Sequence, residues 1–367
     1  MIRMQQIIKT ALDKDFIKTD NMAEMLGLAF KHDSNCMIFG PPGYGKSEMV
    51  MSAIREFELD QPQVIDTGKV DENEEPILKS LDIPQTYVKT LTVDTDVAEL
   101  LGGLNIKRFQ QNSQVWYNCN DSFMNYPVVI FEEFADCPPS TLAMLKDILT
   151  AKMFRNGSQQ YALKTNVVIA ITNHRPEDVA DLGDWAKAIL DRFPIRGEIT
   201  WDSHAKPDYL ELFAKLSPKT ADEAFAPEVM NQIAELSEQS AVKGAPISPR
   251  VARNAIEACD SWYKEVDDTV ARQNLEHLSP LRYVPEYASV MADMQKTIEE
   301  QRLREKARAE IEQAEKAMRE ARKRFNRIAK DGSLTVNDKS REMEGIKQLA
   351  QALMTGMSLI ALSLIHI

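Results

Sequence analysis

The chain has 367 residues, 44% hydrophobic and 27% charged, the balance of an ordinary folded protein with room for two or three compact units. Its formal net charge of -12 argues against a surface that binds nucleic acid all over and leaves room only for a local basic patch. Four scattered cysteines without a CxxC pair argue against a disulfide framework or a zinc site and suit reduced thiols in a cytoplasmic protein of a bacterial or phage-infected cell.

Met1 to Thr10 carries no long apolar stretch of the secretory type. An amphipathic helix is predicted over residues 2 to 13 and another from Asn21 to Lys31. The apolar run Cys36-Met-Ile-Phe39 reads as a buried strand, followed by a glycine-rich loop and a helix from Ser47 to about Phe57. Leu59 to Pro84, acidic at Asp71 to Glu75 and rich in proline, reads as an exposed insertion. A strand over Tyr87 to Thr92 leads to a helix start near Asp94. Gly102 to Asn120, with Gly, Asn and alternating apolar residues, reads as a hairpin. Val128 to Phe131 and Val167 to Ile171 are two further apolar strands. Between them lies a helix capped by Ser140, with Leu142, Leu145, Ile148 and Leu149 on one face. Strands apolar on both faces, alternating with helices, predict an α/β fold whose parallel sheet is covered on both sides.

From Lys206 the pattern is helical throughout. Apolar or small residues recur at Ala307, Ile311, Ala314, Met318, Ala321, Phe325 and Ile328, a short heptad seam broken at Asp331-Gly332. A second helix from about Asp338 completes a predicted hairpin, which is folded within the chain or offered to another. The basic run Arg319 to Lys330 holds six Lys or Arg in twelve residues. Leu349 to Ile367 is nearly apolar and just long enough for a bilayer, but it reads as an amphipathic helix packed on protein or as non-native terminal residues. The expected divisions are an N-terminal helix (1 to 19), an α/β core (20 to 202), an all-helical lid (203 to 290) and the C-terminal hairpin or coiled coil (291 to 367).

The chemistry concentrates in Gly40-Pro41-Pro42-Gly43-Tyr44-Gly45-Lys46-Ser47, which fits G-x-x-x-x-G-K-[ST] between a predicted strand and a predicted helix. Glycines let backbone N–H groups turn toward phosphates, and the helix adds its positive N-terminal end. Lys46 would neutralise the β- and γ-phosphates of ATP, and the Ser47 hydroxyl would ligate Mg²⁺. Two adjacent carboxylates end the second apolar strand. There Glu132 would act on the Mg²⁺ shell and Glu133 would polarise the attacking water. Asn173, at the end of the third, could hold that water or the γ-phosphate.

In order, the P-loop, the two acids, the strand ending in Asn173, the triplet Asp191-Arg-Phe193 and Ser248-Pro-Arg250 resemble the AAA+ ATPases, and most of all their MoxR-like, dynein-related branch. The resemblance covers residues 20 to 265. It implies a ring, usually a hexamer, with sites shared between neighbours. Arg192 then looks like the arginine finger, with Arg196 as the fallback, and Arg250 like a second sensor supplied by the lid. It also implies a protein substrate or adaptor, often one carrying a von Willebrand factor A domain. Gly102 to Asn120 looks like the family's insertion within its second helix, and Asn156 to Lys164 like its hairpin before the sensor strand. The family usually has Asp-Glu where this chain has Glu132-Glu133. A remodelling chaperone is the leading expectation, without a membrane role. A nucleic-acid-directed motor and a nucleotide-gated scaffold without turnover are the alternatives.

Overall fold

The computed structural model describes residues 3–70, 76–181, 183–201, 203–216, 227–265 and 276–365. The chain divides into two compact units, residues 1–262 and 263–367. The first opens with helices α1 (Arg3–Leu12) and α2 (Asp20–His32), strand β1 (Cys36–Phe39) and helix α3 (Lys46–Glu56). Strands β2 (Pro62–Val70), β3 (Pro76–Pro84) and β4 (Thr86–Thr90) follow, then helices α4 (Val97–Leu100) and α5 (Ile106–Asn112) and strand β5 (Val128–Glu132). Helix α6 (Pro139–Ala151), strands β6 (Met153–Asn156), β7 (Gln159–Ala162) and β8 (Val167–Ile171), helices α7 (Pro176–Ala180) and α8 (Asp184–Leu190) and strand β9 (Ile195–Glu198) complete the α/β part.

The main sheet has the order β4-β5-β8-β1-β9, with every neighbouring pair parallel. Its central strands are apolar up to Glu132, the last residue of β5, because each face carries its own core. Met37, Phe39, Val129, Phe131, Val168 and Ala170 point to one side, where α6 and α8 supply Leu142, Leu145, Ile148 and Ile189. The alternating set Cys36, Ile38, Ile130, Ile169 and Ile171 meets α1, α2 and α3 on the other. Helix α1 contributes Ile8 and Leu12 to that second core, both fully buried. Three helices follow, α9 (Lys206–Leu216), α10 (Pro227–Val242) and α11 (Pro249–Glu265), and no strand is present beyond β9 among the described residues.

One local reading gains detail and two need correction. The exposed insertion expected over residues 59 to 84 contains an antiparallel pair, β2 with β3. The register runs from Pro62↔Pro84 to Val70↔Pro76, and the acidic residues Asp71 to Glu75 lie outside the described residues. Gly102 to Asn120 is a loop around a helix. A single antiparallel bridge, Leu104↔Tyr117, closes it, while the Asn105 side chain accepts from Arg108 N and starts α5 instead of a strand. Ser140 does not cap α6: Pro138 occupies the cap position, and no side-chain cap bond forms.

The second unit holds a 3₁₀ segment (Glu276–Tyr283) and two long helices, α12 (Pro285–Lys330) and α13 (Val336–Ile365). They form a hairpin within the chain. Near its turn Ala321, Ile328 and Ile346 are buried together, flanked by Phe325, Leu334 and Met343. Asp331 accepts from Ser333 N, ending the first helix, and Thr335 accepts from Asp338 N, starting the second. No helix among the described residues is long and apolar enough to cross a membrane.

One buried side chain ties the sheet to the loop after α8. The Asn35 amide oxygen accepts from Val168 N at 3.1 Å, and its nitrogen donates to Arg192 O at 2.9 Å. Asn35→Ala strands two backbone groups in a dry place and should cost about 2–4 kcal/mol, measurable by chemical denaturation of the purified chain.

Candidate functional site

Because all five strands run parallel, their C-terminal ends share one edge of the sheet, where open α/β sheets bind ligands. Gly40 leaves β1 there at φ +143°, and a Cβ at this position would stand 2.4 Å from Ile199 O. Gly43 turns at φ +84° against the lid, where a Cβ would meet Ser248 Oγ at 2.8 Å. The loop thus needs glycine where backbone presses on backbone or on the lid, and it opens directly into the N-terminus of α3.

Lys46 is 5% exposed. Its ammonium has three protons, and each finds an oxygen at 2.8 Å: Gly40 O, Pro41 O and Asn173 Oδ1. The other end of the Asn173 amide donates to both oxygens of Glu133, at 2.7 and 2.8 Å. One asparagine therefore bridges the loop lysine and the carboxylate. Burial pushes the Lys46 ammonium down to about 8, with Glu133 acting against that shift and Arg250 adding to it. Glu132 turns toward the neighbouring strand and accepts from Thr90 Oγ1 at 2.8 Å. Thr90 and Glu132 are register partners across β4 and β5, so the longer side chain finds a fixed donor.

Arg250 comes from the first turn of α11. Tyr209 on α9 fixes the approach by donating to Ile247 O and accepting from Ile247 N, and Arg250 N then donates to Gly43 O at 3.1 Å. Ser47, Glu132, Glu133, Asn173 and Arg250 consequently line one cleft with the phosphate loop. Arg192 lies elsewhere. Its carbonyl is held by Asn35, just before β1, and its guanidinium Nε donates to Thr150 Oγ1 at 2.6 Å at the end of α6. The length of β1, roughly 13 Å, separates that position from the loop of the same chain. Arg196 is exposed on the edge strand β9, also away from the cleft.

Several site residues carry no motif signal. The segment Asp15-Phe16-Ile17 walls a second cavity of about 330 Å³ beside the phosphate loop, shared with Tyr44, Leu212 and Asn254, a size suited to a small organic ligand. Two lysines strap this segment to α9. Lys18 pairs with Asp208 at 3.1 Å, and Lys215 donates to Asp13 O and Phe16 O at 2.7 and 2.8 Å. Tyr44, itself in the phosphate loop, shares a 2.8 Å hydrogen bond with His204 Nε2 ahead of α9.

A parallel sheet covered on both faces, a phosphate loop after its central strand, and a helical lid that returns an arginine to that loop define a P-loop ATPase fold of the AAA+ class. Residues 76–236 match the family model described as the MoxR domain of MoxR-vWA-beta-propeller ternary systems. The matched stretch is somewhat less than half the chain and begins after the phosphate loop. No match to a curated protein is found. Among solved structures, NtrX from Brucella abortus in complex with ATP is 15% identical, with 92% of this chain and 71% of that chain covered at a TM-score of 0.45. A Cytophaga hutchinsonii protein named as an ATPase is 15% identical, with 76% and 85% covered at a TM-score of 0.38. A second NtrX structure is 13% identical at a TM-score of 0.44, with 72% of this chain covered and only 55% of that chain spanned.

The residues present fit a Mg²⁺–nucleoside triphosphate. The cleft combines backbone N–H groups, a lysine, a hydroxyl and two carboxylates. The Lys46 proton gives a test. Bound polyphosphate keeps the ammonium charged, whereas the free protein loses that proton above about pH 8. Nucleotide affinity should hold below that value and fall above it, about tenfold between pH 7 and pH 9 in a fluorescence titration.

Proposed function

We propose that this chain binds ATP with Mg²⁺ and hydrolyses it as one subunit of a ring, usually hexameric in this class, to remodel a partner protein. The observation that carries the reading is the Lys46–Asn173–Glu133 chain of hydrogen bonds. It gathers a phosphate ligand, a polar sensor and a general base from three separate strand ends at the mouth of one loop. Lys46 and the loop amides hold the β- and γ-phosphates. Ser47 and Glu132 hold the Mg²⁺ shell, and the metal supplies charge neutralisation to the phosphates. Glu133 accepts a proton from the attacking water, and Asn173 keeps that carboxylate aimed.

Arg192 supports the shared site. It lies about a strand's length from its own phosphate loop and is partly exposed, so a neighbouring subunit's γ-phosphate is the natural target for its charge. A protein carrying a von Willebrand factor A domain is the proposed partner class, because the matched family is described in such ternary systems. The basic run on α12 favours a second reading, a nucleic-acid-directed motor. A polynucleotide that raises the ATPase rate would select it.

Lys46→Ala should weaken nucleotide binding by about a hundredfold or more. Glu133→Gln should bind nucleotide as the wild type does, yet lose turnover by about a hundredfold, read as phosphate release. Wild-type turnover in Glu133→Gln would move the base to another group. Arg192→Ala should bind normally and hydrolyse poorly. Mixing it with Lys46→Ala subunits, which retain Arg192, should restore part of the rate. Proven co-assembly without rescue would return Arg192 to a role within its own subunit.

A further inference from the structure

Glu133 is one of the few non-glycine residues at positive φ (51°), and it begins a short 3₁₀ turn over Phe134–Asp136. Asp136 N donates to Glu133 O at 3.0 Å, closing that turn. Opposite it, the loop after β8 presents Asn173 and then His174, whose backbone N donates to Thr172 Oγ1. Two side-chain bridges span the two loops. Asn173 holds Glu133 inside the cleft, and His174 Nε2 meets Asp136 Oδ1 at 2.8 Å outside it. The bridges use neighbouring residues on one loop and residues three apart on the other, so neither loop can shift without straining both.

We infer that Asp136 and His174 are positioning residues for the general base, setting the distance between Glu133 and Asn173 from outside the cleft. The inference rests on the hydrolysis reading above. Their side chains are 42% and 45% exposed, so the pair itself adds little to stability. Its value is geometric: a residue in a left-handed turn has no helix or strand bonds to hold its carboxylate, and misplacing a reacting group by about 1 Å can cost a hundredfold in rate. Neither residue touches the phosphate loop, so nucleotide binding should not depend on them.

The test uses the full chain with steady-state phosphate release, a fluorescent-nucleotide titration and a thermal melt. His174→Ala and Asp136→Ala should each lower kcat about tenfold or more, with nucleotide Kd within about twofold of wild type and an unchanged melting temperature. The double variant should be no slower than the slower single, because both remove one bridge. His174→Gln, which offers an N–H at the same reach, should recover most of the rate. Wild-type kcat in both alanine variants would overturn the inference, as would nucleotide affinity or melting temperature falling in step with kcat. Additive losses would overturn it too. An inert wild type would remove the hydrolysis reading and this one with it. An active wild type with indifferent variants removes this one alone.

Discussion

A buried ammonium cannot be left without acceptors, and the needs of Lys46 organise the whole of the cleft. Two of its three oxygens come from its own loop, which must therefore curl back on itself at Gly40 and Pro41. The third comes from Asn173, which can supply it only because β8 lies next to β1 and ends level with it. Strand order, loop conformation and the placement of the carboxylate thus answer to one charge. The same burial that keeps Lys46 in place also lowers its hold on its proton, so the site gives up some charge in exchange for a fixed geometry.

The three central strands make this placement possible by being apolar up to their ends. Strands with a core on each face have no freedom to slide, since a one-residue slip would exchange the two sets of side chains. Register then becomes a means of positioning polar residues at the strand ends. Thr90 meets Glu132, and Asn35 joins β8 to the loop carrying Arg192, through a lattice of contacts that the hydrophobic layers hold in place. The glutamate that stands where an aspartate is usual has its extra reach taken up by the threonine on the next strand.

The sequence was most legible where the signal is local. β1, β5 and β8 are unbroken apolar runs beside a motif whose spacing is dictated by phosphate geometry, so strands, loop and acids could be read directly. Thr90 was hidden because its role depends on cross-strand register, which no single segment encodes. Phe16 and Ile17 were hidden because they reach the loop through the packing of α1, and nothing in their own pattern says so. β2 and β3 were missed because charged residues interrupt their apolar alternation. At Gly102 to Asn120 an asparagine able to cap a helix outweighed the alternation that suggested strands.

The lysine strap has a mechanical consequence for the lid. A body joined to its base by one linker can swing in any direction. Helix α9 is joined at two places, through the chain that follows β9 and through the segment fastened by Lys18 and Lys215. The Arg250 N–H bond to Gly43 O adds a third tie, from α11. Moving the lid away from the phosphate loop therefore means breaking the ion pair of Lys18, both hydrogen bonds of Lys215 and the one from Arg250.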